Sequence, residues 1–245
     1  MPTPLPAVLS FDDVFFRAVC PVDAADLGAG VRLLVPNGLS FGALQWSREG
    51  QFHDWFRDAP DRHQVRGSRH ATHLGVDLAF YVQAGRVHRL PAGLPVRACA
   101  SGVVAAAFAA GASELAPGGL MILHGEARGS VQPFSYLGDV REEKRPGEVV
   151  RAGDVVGRTL GQKRRGVQRT VVHFGVGLSI PGHGLEFVDP SCFLLRWGIR
   201  HPVFPESTCT PDRLAAARAG SWRSPGVIDG ARAGPRWQAA WRTRF

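Results

Sequence analysis

Lysine is almost missing from this 245-residue chain: of its 29 basic residues only Lys144 and Lys163 are lysine, the rest being arginine. Such an arginine excess, beside abundant alanine, glycine and proline, reads as the codon bias of a GC-rich genome. The net charge of +8 and isoelectric point of about 10.3 would favour anionic partners, nucleic acid or bacterial cell-wall polymers. The bland compositional reading makes nucleic acid the weaker expectation. Cysteine is scarce as well. Cys20, Cys99, Cys192 and Cys209 show no CxxC spacing and are too few for a disulfide scaffold, so reduced, buried thiols are expected, with a Cys192 to Cys209 bridge left open.

Long apolar runs are absent too. The longest apolar block, Val103 to Gly111, falls far short of the roughly 20 residues of a membrane-spanning helix, so no transmembrane segment is expected. The opening stretch MPTPLPAVLSFDDVFF has no basic n-region, and Asp12 and Asp13 break its apolar run. The expectation is therefore no Sec-type signal, placing the protein in a bacterial cytoplasm or outside by a non-Sec route.

What is present points to β structure. At 44% hydrophobic and 20% charged residues the chain is long enough to bury a core, and a folded chain is expected. Glycine (30) and proline (18) make up about a fifth of the residues, more than a helical protein carries and less than a low-complexity chain. From about His70 onward, short β-branched or apolar runs alternate with turn residues: Val96 to Ala100, Val103 to Phe108, Leu120 to His124, Phe134 to Leu137, Val149 to Val150, Val155 to Thr159, and Val171 to Leu178. This pattern predicts a mainly β, antiparallel sheet or barrel-sandwich domain over 66–198. Residues 1–65, with a strand candidate at Val31 to Val35 and aromatics at Trp46, Phe52, Trp55 and Phe56, read as an N-terminal extension or small subdomain. Residues 199–245 read as an Arg/Trp-rich helix and tail, the helix starting at Thr210-Pro211-Asp212 and stopping at Gly220.

Two segments carry chemistry. In HLGVD, His73 and Asp77 flank Gly75, a residue suited to a sharp turn, and both side chains are of the type that binds zinc. In TVVHFGVGL, strand alternation points His173 the same way as Val171 and opposite to Phe174. Either segment by itself is weak: a solvated histidine, a turn aspartate and a packed strand histidine are the ordinary readings.

Their order along the chain is more specific. HLGVD is followed by PVRACASGVV, GGLMILHGE, FSYLGDV, VVRAGDVVG, VVHFGVGL and VDPSCFL. This succession resembles the M23 zinc metallopeptidases, the lysostaphin and LytM-type peptidoglycan endopeptidases, over about half of the chain, from His73 to Leu194. Their pattern runs HxGxD, V-x-A-x-x-G-x-V, an apolar strand ending in HG, Tyr-x-His-Leu, V-x-x-G-x-x-(I/V)-G, His-x-His-Phe-Glu and V-D-P. The resemblance implies an M23-type β core and a Zn²⁺ ion held by His73, Asp77 and His173, three protein ligands with an open fourth position, as in catalytic zinc sites.

The same resemblance exposes departures. The first histidine of His-x-His, the family's general base, corresponds to Val171, the histidine of Tyr-x-His-Leu to Tyr136, and the glutamate of His-Phe-Glu to Gly175. Valine cannot take a proton from zinc-bound water. A hydroxyl at Tyr136 could donate to an oxyanion, and Glu126 or His124 are the candidates for a relocated base. A vertebrate relative, leukocyte cell-derived chemotaxin, likewise keeps the zinc ligands, replaces the second histidine by tyrosine and acts as a binding protein. The ordinary readings are a locally hydrogen-bonded strand-end His124 and a packed Tyr136. The stretch Tyr81 to Leu90, longer than the family's usual link, would be a groove wall or a surface hairpin.

Two functions follow from the resemblance: a zinc-binding pseudopeptidase that recognises peptide or peptidoglycan, or an active zinc endopeptidase with rearranged proton transfer. A third class, a biotinyl or lipoyl carrier, has similar Gly- and Val-rich hairpins but requires a lysine at a hairpin tip, and Lys144 and Lys163 lie in charged loops. Oligomeric state is not legible in the sequence.

Overall fold

A computed structural model of the chain describes residues 17–36, 39, 44–46, 70–72, 75–108, 118–124, 132–164, 167–180, 184–188 and 190–199. The strands, in chain order, begin with β1 (Arg32–Leu34), β2 (Leu44–Trp46), β3 (His70–Thr72), β4 (Val76–Leu78), β5 (Phe80–Gln83) and β6 (Arg86–Arg89). They continue with β7 (Pro95–Arg97), β8 (Gly102–Phe108), β9 (Gly119–Leu123), β10 (Gln132–Gly138), β11 (Val140–Glu142) and β12 (Val149–Val150). The last are β13 (Val155–Thr159), β14 (Gln162–Arg164), β15 (Val167–Arg169), β16 (Val172–Ile180) and β17 (Gly184–Val188), followed by the short helix α1 (Ser191–Arg196). The protein is mainly antiparallel β, as the sequence pattern predicts. The aromatics Phe52, Trp55 and Phe56, the expected 210–220 helix, the C-terminal tail and Cys209 lie outside the described residues.

The central sheet runs β12-β8-β9-β10-β16-β17, with β4 also paired to β16. β16 shows why it lies in the middle. Val172, Phe174 and Val176 fill one side, while His173, Gly175 and Gly177 alternate onto the other. The small residues face aromatic partners on β10, Gly175 standing opposite Tyr136 and Gly177 opposite Phe134. GLMIL and FSYL are buried along their whole length, as continuous apolar runs are when both faces of a sheet are covered.

Two smaller sheets, β1-β5-β6 and β11-β13-β7, complete the core. The stretch Tyr81 to Leu90 is thus largely a hairpin, turning at Ala84 and Gly85, whose φ angles of 48° and 74° are those of a type I′ turn. Residues from the expected N-terminal extension are knitted into the β domain. β1 pairs with β5, and Ala18, Val22, Leu33 and Val35 share the core of Val96 and Leu194. Val19 N–H donates to the Cys99 carbonyl at 2.8 Å, and Trp197 Nε1–H donates to the Ala18 carbonyl at 2.8 Å. No helix among the described residues is long and apolar enough to cross a membrane.

Candidate functional site

Strands β4 and β16 pair so that Val76, Asp77 and Leu78 stand opposite Phe174, His173 and Val172. This register brings together two residues 96 positions apart, with His173 Nδ1 3.0 Å from Asp77 Oδ1. The His173 side chain is buried and that of Asp77 mostly so. Asp77 is therefore a strand residue rather than part of a turn, and Gly75 forms the bend that leads into β4. A Cβ at Gly75 would stand 2.5 Å from the Phe174 carbonyl oxygen and 2.8 Å from His173 Nε2. The glycine is required for close approach of β4 to β16.

The cross-strand row continues away from Asp77. Gly138 is opposite His173, and Gly119 is opposite Gly138. Tyr136 lies down over these two glycines, since a Cβ at Gly138 or Gly119 would be 2.7 or 2.8 Å from its hydroxyl oxygen. Its ring is 5.7 Å from the His173 ring at an interplanar angle of 52°. Burial, with smaller contributions from Asp139 and Asp77, pushes the phenol well above its ordinary range. It is a hydrogen-bond donor at neutral pH and does not supply a base.

His124 follows β9 and serves the other face. Its neighbour Leu123 stands opposite Phe134, and its own N–H donates to the Pro133 carbonyl at 2.9 Å. Alternation therefore puts His124 with Ser135 and away from Tyr136 and His173. Its Nδ1 is 3.0 Å from the Ser101 carbonyl oxygen and its Nε2 3.0 Å from Ser135 Oγ. A carbonyl only accepts, so Nδ1 carries the proton and Nε2 accepts from the serine hydroxyl. Burial lowers the pKa of His124 to about 4, against a smaller opposing effect of the Ser101 carbonyl. Cys99 Sγ lies 3.9 Å from Nε2, its thiol pushed up to about 11 by burial.

The structure thus brings Asp77, His173 and Tyr136 together and keeps His124 apart. His73 and Glu126 lie outside the described residues, and Val171 is a half-buried residue immediately before β16. Among the described residues no group of three His, Cys, Asp or Glu is placed to hold a metal. The Asp77–His173 pair suits a shared ion in donor type: two ligands of one tetrahedral zinc, each about 2.0–2.1 Å from it, stand about 3.3 Å apart. A direct hydrogen bond has the same dimension as the observed contact. Sequence reasoning passed over Gly119, Gly138, Ser101 and Ser135. The only sequence signal was the Gly118-Gly119 pair, which reads equally as a turn.

No family model matches the chain, and no curated protein does. Among solved structures, the catalytic domain of lysostaphin from Staphylococcus simulans is 20% identical, with 56% of this chain and 88% of that one covered and a TM-score of 0.35. LytU is 20% identical over 68% of this chain and 86% of that one, with a TM-score of 0.39. A zinc-containing peptidase from Vibrio cholerae is 18% identical over 66% of this chain, with a TM-score of 0.35, and only 37% of its own length is spanned. Likenesses at this level do not assign the chain to a family.

Proposed function

We propose that the chain is a zinc-binding domain of the M23 peptidase type that recognises a peptide or peptidoglycan strand and hydrolyses it weakly or not at all. One observation carries the reading. Asp77 and His173, two of the three residues that the family pattern names as ligands, are cross-strand partners with facing atoms 3.0 Å apart; by the sequence resemblance, Val171 corresponds to the family's general base. His73, Asp77 and His173 would hold the ion, which when bound polarises a carbonyl and acidifies a water.

The chain's own residues favour binding over turnover. Val171 has no atom that takes a proton. Tyr136 is a fully buried phenol held neutral by that burial, so it supplies no base at neutral pH. His124 is turned to the opposite face and engaged with Ser101 and Ser135. Glu126 is the remaining candidate for a relocated base.

The test is a turnover assay on cross-linked peptidoglycan and glycine-rich peptides, with and without chelator, alongside a pull-down on the same polymer. Zinc-dependent binding with little cleavage is expected. Chelator-sensitive cleavage at the rates of active endopeptidases would instead make this an active zinc endopeptidase.

A further inference from the structure

Resting on the reading of Asp77 and His173 as ligands, we propose that Tyr136 is a positioning residue: its ring, laid down on a floor made by Gly119 and Gly138, braces the His173 imidazole from the side opposite Asp77. The row Gly119, Gly138, His173, Asp77 crosses four paired strands in register. Asp77 Oδ1 fixes one end of the imidazole through Nδ1 at 3.0 Å. The tilted Tyr136 ring, 5.7 Å away, flanks it on the other side. Gly75 closes the third side, since a Cβ there would lie 2.8 Å from Nε2 and 2.9 Å from Cε1. An imidazole held on three sides loses little further rotamer freedom when it binds an ion, so part of the ordering cost is met by the fold.

At Gly138 the floor is specific to the tyrosine, whereas at Gly119 the nearest atom is the Leu137 carbonyl oxygen. The three atoms nearest to a Cβ at Gly138 are Tyr136 Oη at 2.7 Å and the ring carbons Cε1 at 2.9 Å and Cζ at 3.0 Å, all of that one side chain. Tyr136 is fully buried, so a ring lifted by an added methyl has no solvent to enter. Gly138 matters through the ring that rests on it. The ring rather than the hydroxyl does the bracing, and this separates the proposal from any role for Tyr136 in proton transfer.

The experiment measures zinc affinity of the full chain by competition with a chromophoric chelator, and in parallel the His173 imidazole resonances of the metal-free protein. Tyr136→Phe keeps the ring and is expected to hold zinc within about twofold of the parent, whereas Tyr136→Ala loses about 10- to 100-fold, the usual effect of removing an outer contact of a metal-binding histidine. Gly138→Ala, with Tyr136 still present, is expected to weaken zinc comparably and to shift the His173 resonances. Should Tyr136→Ala fail to fold, the contrast between Gly138→Ala and Tyr136→Phe carries the test. Loss of zinc in Tyr136→Phe as severe as in Tyr136→Ala overturns the brace, as do unchanged affinity and His173 resonances in Gly138→Ala. A parent protein that binds no zinc refutes the zinc reading instead, and the metal-free resonances still decide whether Tyr136 braces His173.

Discussion

Ser135 and Tyr136, neighbours in β10, serve opposite faces of the central sheet: Ser135 Oγ is 3.0 Å from His124 Nε2, while the Tyr136 ring lies 5.7 Å from that of His173. The two described histidines of the β domain that the sequence singles out are thereby separated by the thickness of one sheet. One is locked as a neutral core residue, and the other is paired with a carboxylate in the candidate site.

Metal content is the first consequence of the zinc reading. The purified protein is expected to carry about one zinc per chain, with His73→Ala, Asp77→Ala and His173→Ala each losing more than the roughly 100-fold reached by outer contacts. Elemental analysis after exhaustive dialysis reads this directly. Stoichiometric zinc that survives removal of all three side chains would show that the site lies elsewhere.

Restoring the family's histidines tests whether proton transfer is what the chain lacks. Val171→His combined with Tyr136→His is expected to raise peptidoglycan hydrolysis by about 10²- to 10⁴-fold over the parent, the usual contribution of general acid–base assistance. Release of new amino termini from cross-linked peptidoglycan measures it. A parent already as fast as the double variant contradicts the pseudopeptidase reading.

His124 ties stability to pH. Its folded pKa is lowered to about 4 from an ordinary value near 6.5, so between these values the unfolded chain binds more protons than the folded one. The stabilisation from a neutral His124 is complete above pH 6.5 and is lost as pH falls toward 4, about 3 kcal/mol in all. Denaturant unfolding across this window should show that slope in the parent and a flatter one in His124→Gln. Identical slopes would mean that another group governs acid sensitivity.

Gly75→Ala would force a methyl against the Phe174 carbonyl oxygen and His173 Nε2, at 2.5 and 2.8 Å. Because one of these is backbone, β4 must shift, at a cost of about 1–3 kcal/mol. Thermal unfolding reports the loss, and weaker zinc binding should accompany it through the displaced His173. A variant as stable as the parent would show that β4 accommodates the methyl without distorting its pairing with β16.

Much of the fold was legible because the signals are local. Val149–Val150 and Val155–Thr159 occur where β-branched runs bounded by glycine, proline and aspartate place them, and β16 keeps its alternation of apolar and small residues. Strands with no such signal were missed. QKR and VQR of β14 and β15 are mostly polar and pair with each other, and Val76–Leu78 reads as the end of a turn until its pairing with β16 is known.

The candidate ligands could be named from sequence, since histidine and aspartate are the side chains that bind zinc and their order along the chain follows a known pattern. Alternation along β10 is equally local, so Ser135 and Tyr136 had to face opposite ways. Which of them His124 would join was decided by tertiary structure alone, through the pairing of Leu123 with Phe134. A slip of one residue in that register would have carried His124 to the face of Tyr136 and His173, because a strand's side chains change face at every residue and only the partner strand determines where the count begins.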